Sequence, residues 1–123
     1  MDVQGRPILV GEYELLTDFD CPSASVRVLR LVPAHPVETH EHRRSMQIYV
    51  ALEGEAEIEQ DGVYTAIRPY EAVAVWPRTT HSARVRAGGS AVVMNISIPP
   101  LAADDQIIAG KEETPTHADT QGV

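Results

Sequence analysis

Cysteine is nearly absent from the sequence, since Cys21 is the only one in 123 residues. An intrachain disulfide is therefore excluded, and the chain lacks the cysteine content of a small secreted scaffold. No apolar run approaches the roughly 20 residues that a bilayer-spanning helix needs. Residues 1–7 also lack the charged and apolar segments of a secretory signal. These absences predict a soluble, cytoplasmic protein.

Basic residues are scarce as well. Ten Lys and Arg stand against 18 Asp and Glu, for a formal net charge of −8 and a pI near 5.0. An acidic surface argues against nucleic acid and anionic membranes as partners, which leaves small molecules. No internal repeat is visible, and 123 residues predict one domain.

Short β-prone runs separated by turn residues fill most of the chain. Residues 26–32, 47–52 and 91–98 are rich in branched side chains, and Asp61-Gly62 is a strong hairpin-turn signal. Eight or more such runs predict an all-β antiparallel sandwich or barrel.

The chain divides into three segments. Residues 1–24 predict short N-terminal strands that end in a loop over 17–25, and residues 25–100 predict the main β domain. Residues 101–108 predict one or two helical turns. From 111 to 123 the composition predicts a disordered tail.

Two histidines carry the strongest functional signal. His40 and His42 lie two residues apart, so a strand would place both imidazoles on one face. Gln47 follows in the next β-prone run, and His81 begins a run farther along the chain. Because imidazole is the commonest metal-binding side chain, these four residues suggest one divalent-metal centre. The alternatives are a solvated polar face for the histidine pair, a structural role for His81, and only hydrogen bonding for Gln47.

The spacing of these residues resembles the cupin family. The first cupin motif is His-x-His, three or four residues, Glu, six residues and Gly, and residues 40–42, Gln47 and Gly54 match its spacing with Gln in place of Glu. Of the second motif only His81 remains. Its glycine, proline, glycine and asparagine positions are held by Tyr70, Trp76, Arg78 and Val85.

The resemblance covers roughly residues 25–98 and implies an antiparallel jelly-roll β-barrel, a double-stranded β-helix. It implies one divalent ion (Zn, Ni, Mn, Fe or Cu) on His40, His42, His81 and Gln47. It also implies a homodimer, to which residues 1–24 would contribute.

Gln47 makes the implied ligand set neutral, so a divalent ion would keep its full +2 charge. That favours Lewis-acid polarisation of an oxygen and anionic or enolate-like ligands. Cupins with a similar His-His-Gln-His set rearrange unsaturated uronic acids or cyclise polyketides. Cupin dioxygenases resemble the chain more loosely, through three histidines.

Three side-chain roles remain open at the sequence level. Tyr49 should share a face with Gln47, where its hydroxyl is a candidate catalytic group or simply part of the core. Arg78 would either bind a carboxylate or be solvated. Met94 and Ile96 are interpreted as interior packing.

Three functions are compatible with these residues. The first is a metal-dependent isomerase, lyase, cyclase or dioxygenase that acts on an oxygen-rich or anionic small molecule. The second is a non-catalytic cupin that binds or senses a small molecule. The third is a structural barrel with a vestigial site, which the incomplete second motif would explain.

Overall fold

The computed structural model describes residues 8–10, 13–33, 37–86, 88–102 and 104–108, with residues 8–10 described by their backbone only. Strands form all the regular structure of these ranges, and none of the ranges contains a helix that could cross a bilayer. In chain order the strands are β1 Ile8–Val10, β2 Tyr13–Cys21, β3 Ala24–Leu31, β4 His40–Glu41, β5 Met46–Gly54, β6 Ala56–Gln60, β7 Val63–Ile67, β8 Ala72–Val75, β9 His81–Arg84, β10 Ala91–Ile98 and β11 Ile107–Ile108.

The strands form two antiparallel sheets. The six-stranded sheet has the order β1-β2-β3-β10-β5-β8, and the five-stranded sheet has the order β11-β4-β9-β6-β7. The crossovers between sheets confirm the predicted jelly roll. No ladder joins the two sheets within the described ranges, so the barrel is an open two-sheet sandwich there.

Apolar side chains from both sheets meet in the space between them. Leu29, Tyr49 and Val93 come from the six-stranded sheet, and Ile58 and Ala83 come from the five-stranded sheet. Each is at most 1% exposed. This core holds the two sheets at a defined separation and so positions any polar group that lies between them.

Alternation along β3, β5 and β10 sorts their side chains between the two faces. Gln47 and Tyr49 of β5 point inward, as predicted from their parity, and both are fully buried. Met94 and Ile96 are only half-buried, whereas Asn95 between them is 1% exposed. The prediction that Met94 and Ile96 pack inside is therefore wrong, because the parity of β10 turns them to the outer face.

The predicted loop over residues 17–25 is also wrong. β2 continues to Cys21, and only Pro22 and Ser23 separate it from β3. Polar residues in this segment favoured a loop, but main-chain pairing with β3 and the ion pair between Asp18 and Arg27 support a strand there. Residues 1–24 thus include two strands that extend the six-stranded sheet, and their role in a dimer stays a prediction.

The helical turns predicted for residues 101–108 are absent from the described part of that segment. Instead, Ile107 and Ile108 pair with Glu41 and His40 as β11. A short segment has only a weak intrinsic tendency to form a helix. Two strand pairings and the burial of Leu101 and Ile107, which are each 9% exposed, stabilise the extended form more. The tail predicted over 111–123 lies outside the described residues.

Gly54 ends β5 at the position of the last motif glycine. Its φ is +68°, and a Cβ there would lie 1.9 Å from the main-chain oxygen of Ser90. Both the left-handed backbone and the close approach of β10 require glycine, which explains the residue type at this motif position.

Candidate metal centre

Three histidines converge between the two sheets. His40 on β4 lies directly opposite His81 on β9, and His42 follows β4 by one residue. All three side chains are at most 2% exposed, and one nitrogen from each lies within 4.8 Å of the others. The cluster could hold a metal ion, as the sequence predicted, and the antiparallel β4–β9 ladder is what brings His81 to the pair.

The Nδ1 atom of each histidine faces a main-chain carbonyl oxygen. The partners are Glu38 for His40 at 2.6 Å, Asp105 for His42 at 2.5 Å and Thr79 for His81 at 3.0 Å. Since a carbonyl can only accept, each Nδ1 donates its hydrogen, and the Nε2 lone pair remains for another partner. Anchoring of this kind orients metal-binding histidines in proteins.

Burial keeps His42 neutral. Desolvation lowers its pKa from 6.5 to about 4, with smaller lowering contributions from His81 and Arg27 and opposing ones from Asp105. The Nε2 atom of His42 is buried and has no hydrogen-bond partner among the described residues. A neutral imidazole whose remaining lone pair points into a closed space has the form that metal binding needs.

Gln47 reaches the cluster from the opposite sheet. Its Nε2 donates to Asn95 Oδ1 at 3.2 Å and to Ser97 Oγ at 3.1 Å, which directs Oε1 towards His81 Nε2 at 2.9 Å. Because Nδ1 of His81 already donates to a carbonyl, a neutral His81 has no second hydrogen for Oε1. Two electron-pair donors would then face each other, and a cation bound by both would satisfy them. Gln47 therefore fits a ligand role.

Asp105 is a site residue that the sequence did not reveal. Its carboxylate accepts hydrogen bonds from the main-chain N–H groups of Arg43, Arg44 and Ser45 at 2.8 to 3.3 Å. Its main-chain oxygen is the partner of His42 Nδ1. Asp105 lies 63 residues from His42 in a segment that was predicted to be helical, so no local pattern linked the two.

The two glycine positions of the second motif have a left-handed backbone, although neither position holds glycine. Tyr70 and Arg78 stand at its two glycine positions and have φ values of +73° and +67°. Non-glycine residues rarely adopt this left-handed conformation. The main-chain N–H of Arg78 also donates to the carbonyl oxygen of His42 at 2.7 Å, so this turn supports the histidine loop.

The remaining candidate residues are placed as follows. Tyr49 is fully buried beside His81, with 6.2 Å between ring centroids, and its hydroxyl has no hydrogen-bond partner among the described residues. Burial raises the pKa of Tyr49 well above 10, with a smaller contribution from Tyr13. Trp76 is 65% exposed and Arg78 is also exposed, so neither contributes to the enclosed cluster.

Comparison with known proteins supports the architecture. No protein-family model and no curated protein matches the chain, but solved structures do. A conserved protein from Klebsiella pneumoniae, described as having a double-stranded β-helix domain, aligns with a TM-score of 0.67 at 20% identity over 90% of each chain. This chain has the cupin fold.

Two further solved structures have a similar fold. KdgF from Halomonas sp. aligns with a TM-score of 0.68 at 18% identity, over 80% of this chain and 90% of that one. Pac13 from Streptomyces, described as a nucleoside dehydratase, aligns with a TM-score of 0.68 at 14% identity, over 97% and 92%. These similarities concern the fold alone.

Proposed function

We propose that this cupin-like chain is a divalent-metal-dependent enzyme that acts on a small oxygen-rich or anionic molecule. His40, His42, His81 and Gln47 would hold the ion. The observation that carries the proposal is the convergence of three buried imidazoles whose Nδ1 atoms all donate to carbonyl oxygens. Such anchoring leaves three Nε2 lone pairs for one shared partner.

The neutral donor set indicates the reaction type. A divalent ion held there would supply Lewis-acid polarisation of a substrate oxygen. The protein side chains keep water away, since each proposed ligand is at most 2% exposed, and electrostatic interactions are stronger in such surroundings. We therefore favour isomerase, lyase or cyclase chemistry. That a structural neighbour is described as a nucleoside dehydratase is consistent with lyase chemistry in this fold.

A dioxygenase is the alternative within the enzyme class. The identity of the bound metal would distinguish it from the non-redox enzymes. Iron or copper in the purified protein would favour reaction with O₂, whereas zinc, nickel or manganese would favour the non-redox reactions.

A non-catalytic binding protein is the second candidate function, and Tyr49 favours it. Burial holds the phenol neutral, because it raises the pKa of Tyr49 well above 10. A neutral phenol is a poor general base near neutral pH, so Tyr49 is better suited to donate a hydrogen bond to a ligand than to accept a proton. Tight metal with a ligand that is bound but unchanged would support this function.

Elemental analysis of the purified protein tests the metal site. We expect about one equivalent of a divalent metal, lost in His40→Ala, His42→Ala and His81→Ala, and reduced less in Gln47→Ala. His117→Ala is the control, because the sequence places His117 outside the predicted ligand set. Full metal content in His81→Ala, or no metal in the natural chain after incubation with divalent ions, would contradict the proposal.

A further inference from the structure

A row of polar side chains crosses the inner face of the six-stranded sheet beside the histidine cluster. The strand register places Arg27 of β3 opposite Asn95 of β10, and Asn95 opposite Tyr49 of β5. The three residues are 7%, 1% and 0% exposed. Sandwich interiors are normally apolar, so three polar residues in one row need a physical explanation.

Two of these side chains have hydrogen-bonding atoms without partners. Asn95 Nδ2 and Tyr49 Oη are both buried and have no hydrogen-bond partner among the described residues. The side-chain orientation of Asn95 is determined, because its Oδ1 accepts from Gln47 Nε2 at 3.2 Å and from Ser97 Oγ at 3.3 Å. The unsatisfied group of Asn95 is therefore the NH₂ donor. An unsatisfied buried polar group destabilises the fold, and proteins rarely retain two of them without a ligand or water.

Arg27 adds positive charge to the row. Its Nε donates to Asp18 Oδ1 at 3.2 Å, and the Asp18 side chain is 43% exposed, so this partner lies towards solvent. The guanidinium itself is buried and close enough to His42 to contribute to lowering the pKa of that imidazole. Arginine suits planar carboxylates because its N–H groups form a rigid fork.

Gln47 joins the row to the cluster. Its amide contacts Asn95 through Nε2 and His81 through Oε1, at 3.2 and 2.9 Å. The row and the histidines are therefore joined by direct contacts of one side chain.

We propose that Arg27, Asn95 and Tyr49 bind the carboxylate of a small hydroxy or oxo acid. The inference rests on the proposed function, since the second oxygen of the acid would face the metal centre. Both unsatisfied groups can donate, the Asn95 NH₂ and the neutral Tyr49 hydroxyl, and a carboxylate supplies only acceptors. One guanidinium matches the single charge of a carboxylate better than the double charge of a phosphate monoester.

Calorimetric titration of the metal-loaded protein tests the row. Lactate and glycolate are the probes, and propane-1,2-diol is the neutral counterpart of lactate in which CH₂OH replaces the carboxylate. We expect both acids to bind and the diol to bind at least tenfold more weakly, since the row would lose a charged acceptor. Metal content is measured on the same samples.

Tyr49→Phe is the sharpest variant. The hydroxyl has no partner among the described residues, so its removal should leave metal content and thermal stability unchanged while weakening lactate binding about three- to tenfold. Asn95→Asp keeps the acceptor for Gln47 and removes the donor, and it should weaken lactate binding further. Arg27→Gln should weaken it about 10- to 100-fold, the range for a hydrogen bond to a charged group.

Two outward-facing residues of the same types serve as matched controls. Arg30→Gln changes an arginine of the same strand that faces outward beside Glu14, and Tyr64→Phe changes an exposed tyrosine of β7. Both should bind lactate like the natural chain.

The outcomes separate the two proposals. Equal binding of lactate and propane-1,2-diol, no binding of either acid, or lactate affinity unchanged in Tyr49→Phe and Asn95→Asp would each overturn the carboxylate row. Binding that is lost with the metal but unaffected in Arg27→Gln would also overturn it. A metal-free chain that still binds lactate through the row would contradict only the metal-dependent function.

Discussion

Each histidine of the cluster is held by a main-chain carbonyl oxygen and not by an acidic side chain. A carboxylate at Nδ1 would add negative charge beside the ligands and offset part of the charge of a bound ion. Carbonyl partners orient the ring without that effect. Together with Gln47, they keep the immediate surroundings of the predicted ion neutral, which is the electrostatic basis for favouring anionic or oxygen-rich ligands.

The metal-free protein should lose stability in acid because of His42. Its pKa is about 4 when folded and 6.5 when unfolded, so between these values the unfolded chain binds more protons. The folded protein therefore has its full stability, as far as His42 is concerned, above pH 6.5. As the pH falls towards 4, up to about 3 kcal/mol of its unfolding free energy is lost. Urea unfolding of the metal-free protein near pH 7 and near pH 5 measures this. In His42→Gln the dependence should be weaker, and an equal dependence would contradict the assignment.

Asp105 should matter more than its neighbour Asp104. Asp105→Ala removes the acceptor for three main-chain N–H groups next to His42, so we expect a loss of about 2 kcal/mol or more in unfolding free energy. Metal affinity should fall about tenfold through misorientation of His42. Asp104 is the control, because it is exposed and its pair with Arg44 lies on the surface. Denaturant unfolding and metal titration compare the two variants, and equal effects would contradict this role.

Among the elements, the turns on either side of β8 have a strained backbone. Tyr70 precedes the strand and Arg78 follows it, and both adopt positive φ at positions where the cupin motif has glycine. This is the conformation that glycine adopts most readily, so it agrees with glycine in the motif. Tyr70 is 87% exposed and Arg78 is exposed, so neither side chain offsets the cost of its conformation by burial.

Arg78→Gly and Tyr70→Gly should therefore stabilise the protein. Relief of the left-handed conformation is worth about 1–2 kcal/mol, and the greater freedom of glycine in the unfolded chain offsets part of it. We expect a net gain of about 0.5–1 kcal/mol for each by denaturant unfolding. Thr79→Gly is the control. Thr79 is next to Arg78 but does not have a positive φ, so glycine there should destabilise the protein. A loss of stability in both glycine variants would rule out strain at these turns.

At the scale of the whole molecule, the six-stranded sheet has buried polar residues within its apolar inner face and a mostly apolar outer face. Its inner face carries Arg27, Gln47 and Asn95, which are buried. The charged residues on the outer face of the three central strands are Arg30 and Glu53, which pairs with Val92. Its other residues are the following: Ala24, Val26, Val28, Met46, Ile48, Val50, Leu52, Val92, Met94, Ile96 and Ile98. Contiguous apolar surface of this kind is typical of an interface.

A second copy of the chain is the occupant that we predict for this outer face. Two chains that each have a net charge of −8 repel least where charged residues are few, and a two-fold contact pairs one face with itself. Light scattering after size exclusion should show a dimer, and Ile96→Lys should convert it to monomer. Val63→Lys on β7, where Val63 is 67% exposed, should leave the dimer intact. A monomeric natural chain would contradict the prediction.

Local patterns in the sequence determined the faces of the strands and the first motif. The spacing of His40 and His42, the shared parity of Gln47 and Tyr49, and the turn at Asp61-Gly62 all follow from a two-residue period and from turn chemistry. Asp61 and Gly62 do adopt the positive φ values that this turn requires, +49° and +85°. These features depend on neighbours only a few residues away, so the sequence alone was sufficient.

The tertiary structure decided which distant residues meet. The pairing of β4 with β9 places His40 opposite His81, the C-terminal segment brings Asp105 to His42, and the register of β3, β10 and β5 aligns Arg27 with Asn95 and Tyr49. It also turned Met94 outward. Strand order and register result from burying one face of each sheet across the whole molecule, and a one-residue change of register would reverse every side chain. No local pattern contains that information.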